Sequence, residues 1–146
     1  MKWLYKNKEI NEIIDLPKEA FGFIYQTTHT PTGKKYIGKK SLMYNLKKKL
    51  GKKEKALWEG KGRPPVFKRI QKESDWKTYY GSHHLIKEYL KGGFEHELKR
   101  EIIAIATDKK HLTYLECKHQ FALGVLESSE YLNDNILGKF FDKDFA

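Results

Sequence analysis

The chain has 146 residues, 39% hydrophobic and 14% aromatic, enough for one domain with an aromatic-rich core and too much for general disorder. Its 29 Lys and Arg against 19 Asp and Glu leave a formal charge of +10, the balance of a protein with a polyanionic partner. A single cysteine, Cys117, excludes an intrachain disulfide and the usual Cys/His zinc frameworks, and no run of ~18 apolar residues or secretion-signal core is present, so a reducing, intracellular setting without a membrane is expected.

Trp3–Tyr5 reads as a short strand and Glu9–Leu16 as a short helix stopped by Pro17, a leader over residues 1–20 without evident chemistry. From Phe21 to Lys40, two extended segments flank the breakers Pro31 and Gly33, the pattern of a β-hairpin. Phe21, Phe23 and Tyr25 alternate with smaller residues in the first segment, and Lys35, Tyr36 and Ile37 resume in the second. Residues opposite one another in such a pair share a face with Cβ atoms ~5 Å apart, so Tyr25 and Tyr36 are expected to present two phenols side by side. Gly38 ends the second strand where a Cβ would obstruct a close approach.

Ser41 then offers a cap to a helical stretch with Leu42, Leu46 and Leu50 at helical spacing, ended by Gly51. Residues 44–77 read as a basic insert. Between Lys47 and Lys72 a dense set of Lys and Arg is broken by Gly51, Gly60, Gly62, Pro64 and Pro65, with Trp58 and Phe67 among the cations. Such a loop is either a solvated excursion or a surface whose cations hold phosphates without reading sequence; the interleaved aromatic rings favour the second.

Ser82 is the expected N-cap of a helix over HHLIKEYLK, stopped by Gly92 and Gly93, and a phosphate is chemically reasonable near Ser82, His83 and His84. Leu98–Ala106 is apolar and β-branched, as a central strand should be. Thr107 or Asp108 caps a longer helix over Lys109–Leu126, with Leu115, Ala122 and Leu126, and Tyr114, Phe121 and Val125 beside them, in a wide apolar stripe. Glu116 sits at the margin of that stripe, where a carboxylate needs compensation from Lys118, from Gln120 or from a ligand. Cys117 and His119 read as structural, and the tail YLNDNILGKFF is apolar enough to dock.

Phe23-Ile24-Tyr25 and Tyr36-Ile37-Gly38 resemble the two halves of the GIY-YIG nuclease signature, with Phe23 where the family name has Gly. In that family the third strand is followed by a helix whose Glu binds a divalent metal, and a Tyr-x-Asn element follows; here Tyr114-Leu115-Glu116 and then Tyr131-Leu132-Asn133 stand in that order. WKTYYGSHHL with its basic insert looks like the phage-type, homing-endonuclease-like branch. The resemblance implies a single α/β domain over residues 1–146, a three-stranded, mainly antiparallel sheet flanked by helices, in the cytoplasm of a bacterium or a phage-infected cell.

It also implies hydrolysis of DNA phosphodiester bonds, in duplex or branched substrates, with Mg²⁺ or Mn²⁺ on Glu116 and no small-molecule cofactor. Tyr25 or Tyr36 would help activate water, the family favouring Tyr25; a phenol of pKa ~10 needs help from neighbouring charge to do so. The family's phosphate-holding Arg has no counterpart, since Leu46 occupies the expected point. Lys40 is the preferred substitute, with Lys39, Lys47, Arg63 and Arg69 as other candidates for phosphate. His84 is a proton-relay candidate, Ser82 and His83 are backbone contacts, and Gly38 and Asn133 support the site. The alternative is a nucleic-acid-binding protein that keeps this fold and cleaves little or not at all.

Overall fold

The computed structural model describes residues 2–145, and its first turn shows how the strand expected at Trp3–Tyr5 gains a partner that the pattern of apolar residues did not announce. Strand β1 (Trp3–Tyr5) reverses into β2 (Lys8–Ile10) through Lys6 and Asn7, both at positive φ (49° and 66°), a two-residue turn whose twist suits an antiparallel pair. The helix expected over Glu9–Leu16 is therefore replaced by β2 and one 3-10 turn, Ile13–Asp15, where the Asp15 carboxylate accepts the N–H groups of Asn11 and Glu12.

The hairpin follows as expected, with β3 (Gly22–His29) and β4 (Lys34–Ser41) in unbroken antiparallel register. Next come β5 (Met43–Lys49), α1 (Lys52–Ala56), β6 (Phe67–Glu73), α2 (His84–Lys91), β7 (Leu98–Ala106), α3 (Lys109–Ala122), β8 (Asn135–Ile136) and β9 (Phe140–Phe141). The residues up to Leu42, together with those from Asp75 onward, form one compact unit, and Met43–Ser74 form another.

In the larger unit one sheet has the order β2-β1-β7-β3-β4. It is five-stranded rather than three-stranded because the leader's hairpin adds β1 parallel to β7, while every other pairing in it is antiparallel. Ile24, Ile37 and Ala106 form a core with Leu112 of α3 and with Val125, Leu126 and Ile136 beyond it. Phe23 and Tyr25 alternate to the other face and meet Trp3 edge-on, with ring centroids 4.9 and 5.4 Å away; Trp76 closes on Phe23 at 6.3 Å.

Arg100 is buried between the rings of Trp3 and Tyr80 and donates to the carbonyls of Lys77 and Tyr79. Trp3 Nε1 donates to Trp76 O and Thr27 Oγ1 to Tyr80 O, both at 2.6 Å. Four hydrogen bonds thus tie the 76–80 segment to the sheet and set the start of α2. Two helix limits differ from expectation: His83, not Ser82, caps α2 by accepting the Leu85 N–H, and α3 ends at Ala122, beyond which Gly124 lies at φ +58°. Tyr114 and Phe121, expected in the stripe of α3, are exposed, while Leu112 and Gln120 are its buried residues.

In the smaller unit the helix expected from Leu42 to Leu50 is strand β5, paired residue for residue with β6. Leucines at i, i+4 and i+8 fit a helix in isolation, but Leu42 is fully buried in the other unit's core, and a seven-residue antiparallel pairing, whose hydrogen bonds fall at alternate positions, overrides the local preference of the rest.

Candidate active site

β4 is the edge strand, and its outer side is where the conspicuous polar residues collect. Lys35 N–H donates to Glu130 O and Lys35 O accepts from Leu132 N–H, so residues 130–132 run alongside β4 in parallel. Asn133 completes this pairing with its side chain. Its Oδ1 accepts the Ile37 N–H at 3.0 Å, and its Nδ2 donates to Ile37 O at 2.8 Å, as a strand residue's own peptide would. Gln120 Nε2 donates to the same carbonyl at 3.1 Å. The edge peptide most in need of partners is thereby saturated inside a buried region.

Around this point lies a cavity of about 550 Å³, lined by Tyr36, Lys39, Ser82, His83, Glu116 and Asp134 among others. Tyr36 comes from β4, and its hydroxyl is 3.0 Å from Ser82 Oγ, just ahead of α2. Glu116 comes from α3, one turn after buried Leu112 and one turn before Gln120, so the row that packs on the sheet carries the carboxylate to the edge. Lys39 Nζ lies 3.9 Å from Glu116 Oε1 and donates to Thr113 Oγ1 at 2.9 Å. The partner of the carboxylate is therefore this strand lysine; Gln120 spends its amide on Ile37, not on Glu116.

Electrostatics in the cavity follow from burial. Burial pushes the Glu116 carboxyl above its ordinary value, with the Lys39 ammonium pulling the other way. Burial likewise raises the Tyr36 phenol, against the hydrogen bond from Ser82. Tyr25 is raised well above the usual tyrosine value, first by burial and then by Tyr79 and Tyr36. Both phenols are thus held neutral near pH 7.

Tyr25 and Tyr36 are close but not opposite, because the register pairs Tyr25 with Gly38 and Tyr36 with Thr27. Their rings are 6.2 Å apart, and Tyr25 is only 1% exposed while Tyr36 lines the cavity. Lys40 points to the other face of the sheet from Lys39, lies 4.1 Å above the Tyr79 ring and pairs with Asp75. His83 and His84 line the cavity, the first buried and the second exposed. Lys47, Arg63 and Arg69 belong to the smaller unit.

Two donor sets suggest themselves for a cation. Ligand atoms of His83, His84 and Asp134 lie within 4.8 Å of one another. His83 Nδ1, however, accepts the Leu85 N–H, which leaves the proton of a neutral ring on Nε2; that nitrogen sits 3.1 Å from Asp134 Oδ2, off the direction of a hydrogen bond. With Nδ1 accepting from Leu85 and the proton on Nε2, the ring of His83 has no free lone pair to offer a cation. The second set is oxygen, from three residues of the lining: the half-buried Glu116 carboxylate, Asp134, and Gln120, whose buried Oε1 has no hydrogen-bond partner. Oxygen donors with room for water and substrate suit a hard divalent cation. Asp134 and the orphaned oxygen of Gln120 were not singled out as site residues in the sequence; the only signals were adjacency to Asn133 and a one-turn spacing from Glu116.

A hairpin bearing Phe-Ile-Tyr and Tyr-Ile-Gly segments, a following strand, a helix carboxylate and an edge asparagine define a GIY-YIG domain. Residues 3–136 match the family model described as "Putative endonuclease segE, GIY-YIG domain". The chain belongs to that family. Neither the comparison with curated proteins nor that with solved structures returned a match.

Proposed function

We propose that this chain is a divalent-metal-dependent DNA endonuclease whose active site is the cavity at the edge of β4. The observation that carries the reading is the convergence of Tyr36, Lys39, His84 and Glu116 on one opening, from a strand, a helix start and a second helix. A bound Mg²⁺ or Mn²⁺ would supply positive charge to the attacked phosphate and the departing oxygen, and Glu116, with Gln120 Oε1 beside it, is the group to hold it.

The protein's own residues divide the remaining work. Lys39 offers a positive charge to a phosphate oxygen, in the place of the family's phosphate-holding arginine, which has no counterpart here. Tyr36, neutral and fixed by Ser82, orients the attacking water through its hydroxyl. Exposed His84 takes a proton from the water as its oxygen bonds to phosphorus and the P–O3′ bond breaks, and a solvent proton goes to the departing oxygen, leaving a 5′ phosphate and a 3′ hydroxyl. Tyr25, sealed below, acts by holding the ring of Tyr36 in place.

A second reading has an observation of its own: no arginine lines the cavity among the described residues, and a point-charge lysine lacks the bidentate grip that phosphate favours. It describes a DNA-binding protein of this fold with little cleavage. Plasmid nicking in Mg²⁺ and in EDTA, by wild type and Glu116→Ala, separates the two. Metal-dependent nicking lost in the variant is the expected result; equal inactivity of both proteins overturns the endonuclease reading.

A further inference from the structure

The 43–74 unit carries eleven of the chain's 29 Lys and Arg but only three of its 19 Asp and Glu. Its framework is not an irregular loop but a two-stranded antiparallel ribbon, β5 with β6, in a register that pairs Asn45 with Gln71, Leu46 with Ile70, Lys47 with Arg69 and Lys48 with Lys68. Because side chains alternate along a strand, the ribbon has two chemically different faces. One carries Leu46, Ile70, Lys48 and Lys68; Ile70 and Lys68 are partly covered there, and Lys68 pairs with Glu54 of α1. The other carries Asn45 beside Gln71 and Lys47 beside Arg69, all four exposed.

That second face is unusual in its residue types. A solvated ribbon face needs only charge, and phosphate contact needs only cations. Asn and Gln are the side chains that pair bidentately with adenine edges, and Arg and Lys those that pair with guanine. Here they stand as two adjacent cross-strand pairs, one amide pair and one cation pair, with none of the four drawn away by α1. Same-face positions step ~6.8 Å along a strand, close to two base-pair rises of ~3.4 Å. A two-stranded ribbon is also of a width that the ~12 Å major groove of B-form DNA admits.

We infer that Asn45, Lys47, Arg69 and Gln71 form a base-reading strip that enters the major groove of duplex DNA and gives the protein sequence preference. This rests on the reading of the chain as a DNA-acting protein and changes the expected role of the basic insert from phosphate grip to direct readout. Double-stranded RNA is excluded as the partner by shape, since its major groove is too deep and narrow for side chains to read.

The test is selection from a randomised duplex pool by the full chain in EDTA, where cleavage is suppressed. Wild type should enrich a short motif containing A and G. Asn45→Ala with Gln71→Ala should lose the preference at the A positions by on the order of ten-fold each, while binding to unselected duplex changes little. Asn45→Arg should move one preferred base from A to G, a change of specificity that misfolding cannot imitate. A flat enrichment by wild type, the same motif from the double variant, or equal binding of duplex RNA overturns the inference. The endonuclease reading fails separately: a protein that nicks plasmid in Mg²⁺ without base preference refutes only the strip, and one that selects a motif but never nicks refutes only the nuclease.

Discussion

Tyr25 occupies the space that a side chain at Gly38 would need: a Cβ there would fall 2.5 Å from the tyrosine oxygen and 2.7 Å from its Cζ. Gly38 is Tyr25's cross-strand partner, so the bare α-carbon lets the phenol lie across β4 beneath Tyr36. The glycine of the second signature segment is thus explained by packing within the hairpin, not by approach of a ligand. Gly81 adds to the same packing from above, at φ +137° and with its Cβ position 3.5 Å from the Tyr25 hydroxyl.

Gly38→Ala should therefore destabilise the fold by about 1–3 kcal/mol, because Tyr25 is held by Trp3, Phe23 and Tyr79 and has no direction in which to yield. Urea unfolding of Gly38→Ala in the wild-type and Tyr25→Leu backgrounds measures this. The alanine should cost markedly less where the ring is absent; equal costs would show that the clash is not with Tyr25.

Asn133 is the second packing prediction. It satisfies both polar groups of Ile37, which is fully buried, so Asn133→Ala leaves an N–H orphaned and weakens the carbonyl's bonding to Gln120 alone. A loss of about 2–4 kcal/mol is expected. Asn133→Asp keeps an acceptor for the N–H but sets a carboxylate against the carbonyl, so it should not rescue. Denaturation midpoints for the two variants, with hydrogen exchange at the Ile37 amide, check the assignment directly.

The legible parts of this molecule were those whose signal is local. The hairpin declared itself through alternation and a Pro-Gly turn, β7 through a β-branched run, and α3 through Asp108, whose side chain does accept the His111 N–H. Glu116 stood out because a carboxylate beside an apolar stripe needs a reason. What stayed hidden depends on partners distant in the chain. Trp3–Tyr5 read as a strand, as it is, but nothing local showed that β7 would be its parallel neighbour, and Leu46 looked helical until Ile70 faced it. Register was equally unreadable: placing Tyr25 opposite Tyr36 is off by two residues, which keeps both on one face but buries one and opens the other. Lys39 and Lys40 differ by one position, and alternation alone could not say which of the two would reach the cavity at the edge of β4.

The raised Glu116 carboxyl makes a pH prediction with a definite sign. A carboxyl whose folded pKa lies above its unfolded one stabilises the fold fully below the ordinary value of 4.5, and that contribution is lost as pH rises through the raised value. Glu116→Gln, which cannot ionise, should lack this loss and so gain on wild type as pH increases from about 4.5. Activity has the opposite slope, since a cation needs the ionised carboxylate: nicking should climb across the same window. Lys39→Met removes the charge that lowers the carboxyl, so its acid limb should lie at higher pH than that of wild type. Unfolding and nicking measured from acid to neutral pH test both signs together.

Lys39 and Lys40 give the sharpest test of where the chemistry lies. Adjacent on an edge strand, they project to opposite faces, Lys39 to the cavity beside Glu116 and Lys40 to Asp75 and the Tyr79 ring. If the cavity is the active site, Lys39→Ala should lower the nicking rate by about ten-fold or more, through lost stabilisation of phosphate charge, with little change in stability. Lys40→Ala should do the reverse, costing about 0.5–1 kcal/mol of stability through its ion pair and ring contact while leaving most of the nicking rate intact. Lys39→Arg adds a discriminating arm, because a guanidinium there restores the fork that phosphate prefers and should at least match wild type if Lys39 meets the substrate. Nicking rates and urea midpoints for all three variants, measured on the same preparations, decide it: a rate that falls with Lys40 and not with Lys39 would move the reacting phosphate to the opposite face of β4, where Tyr79 and Asp75 stand.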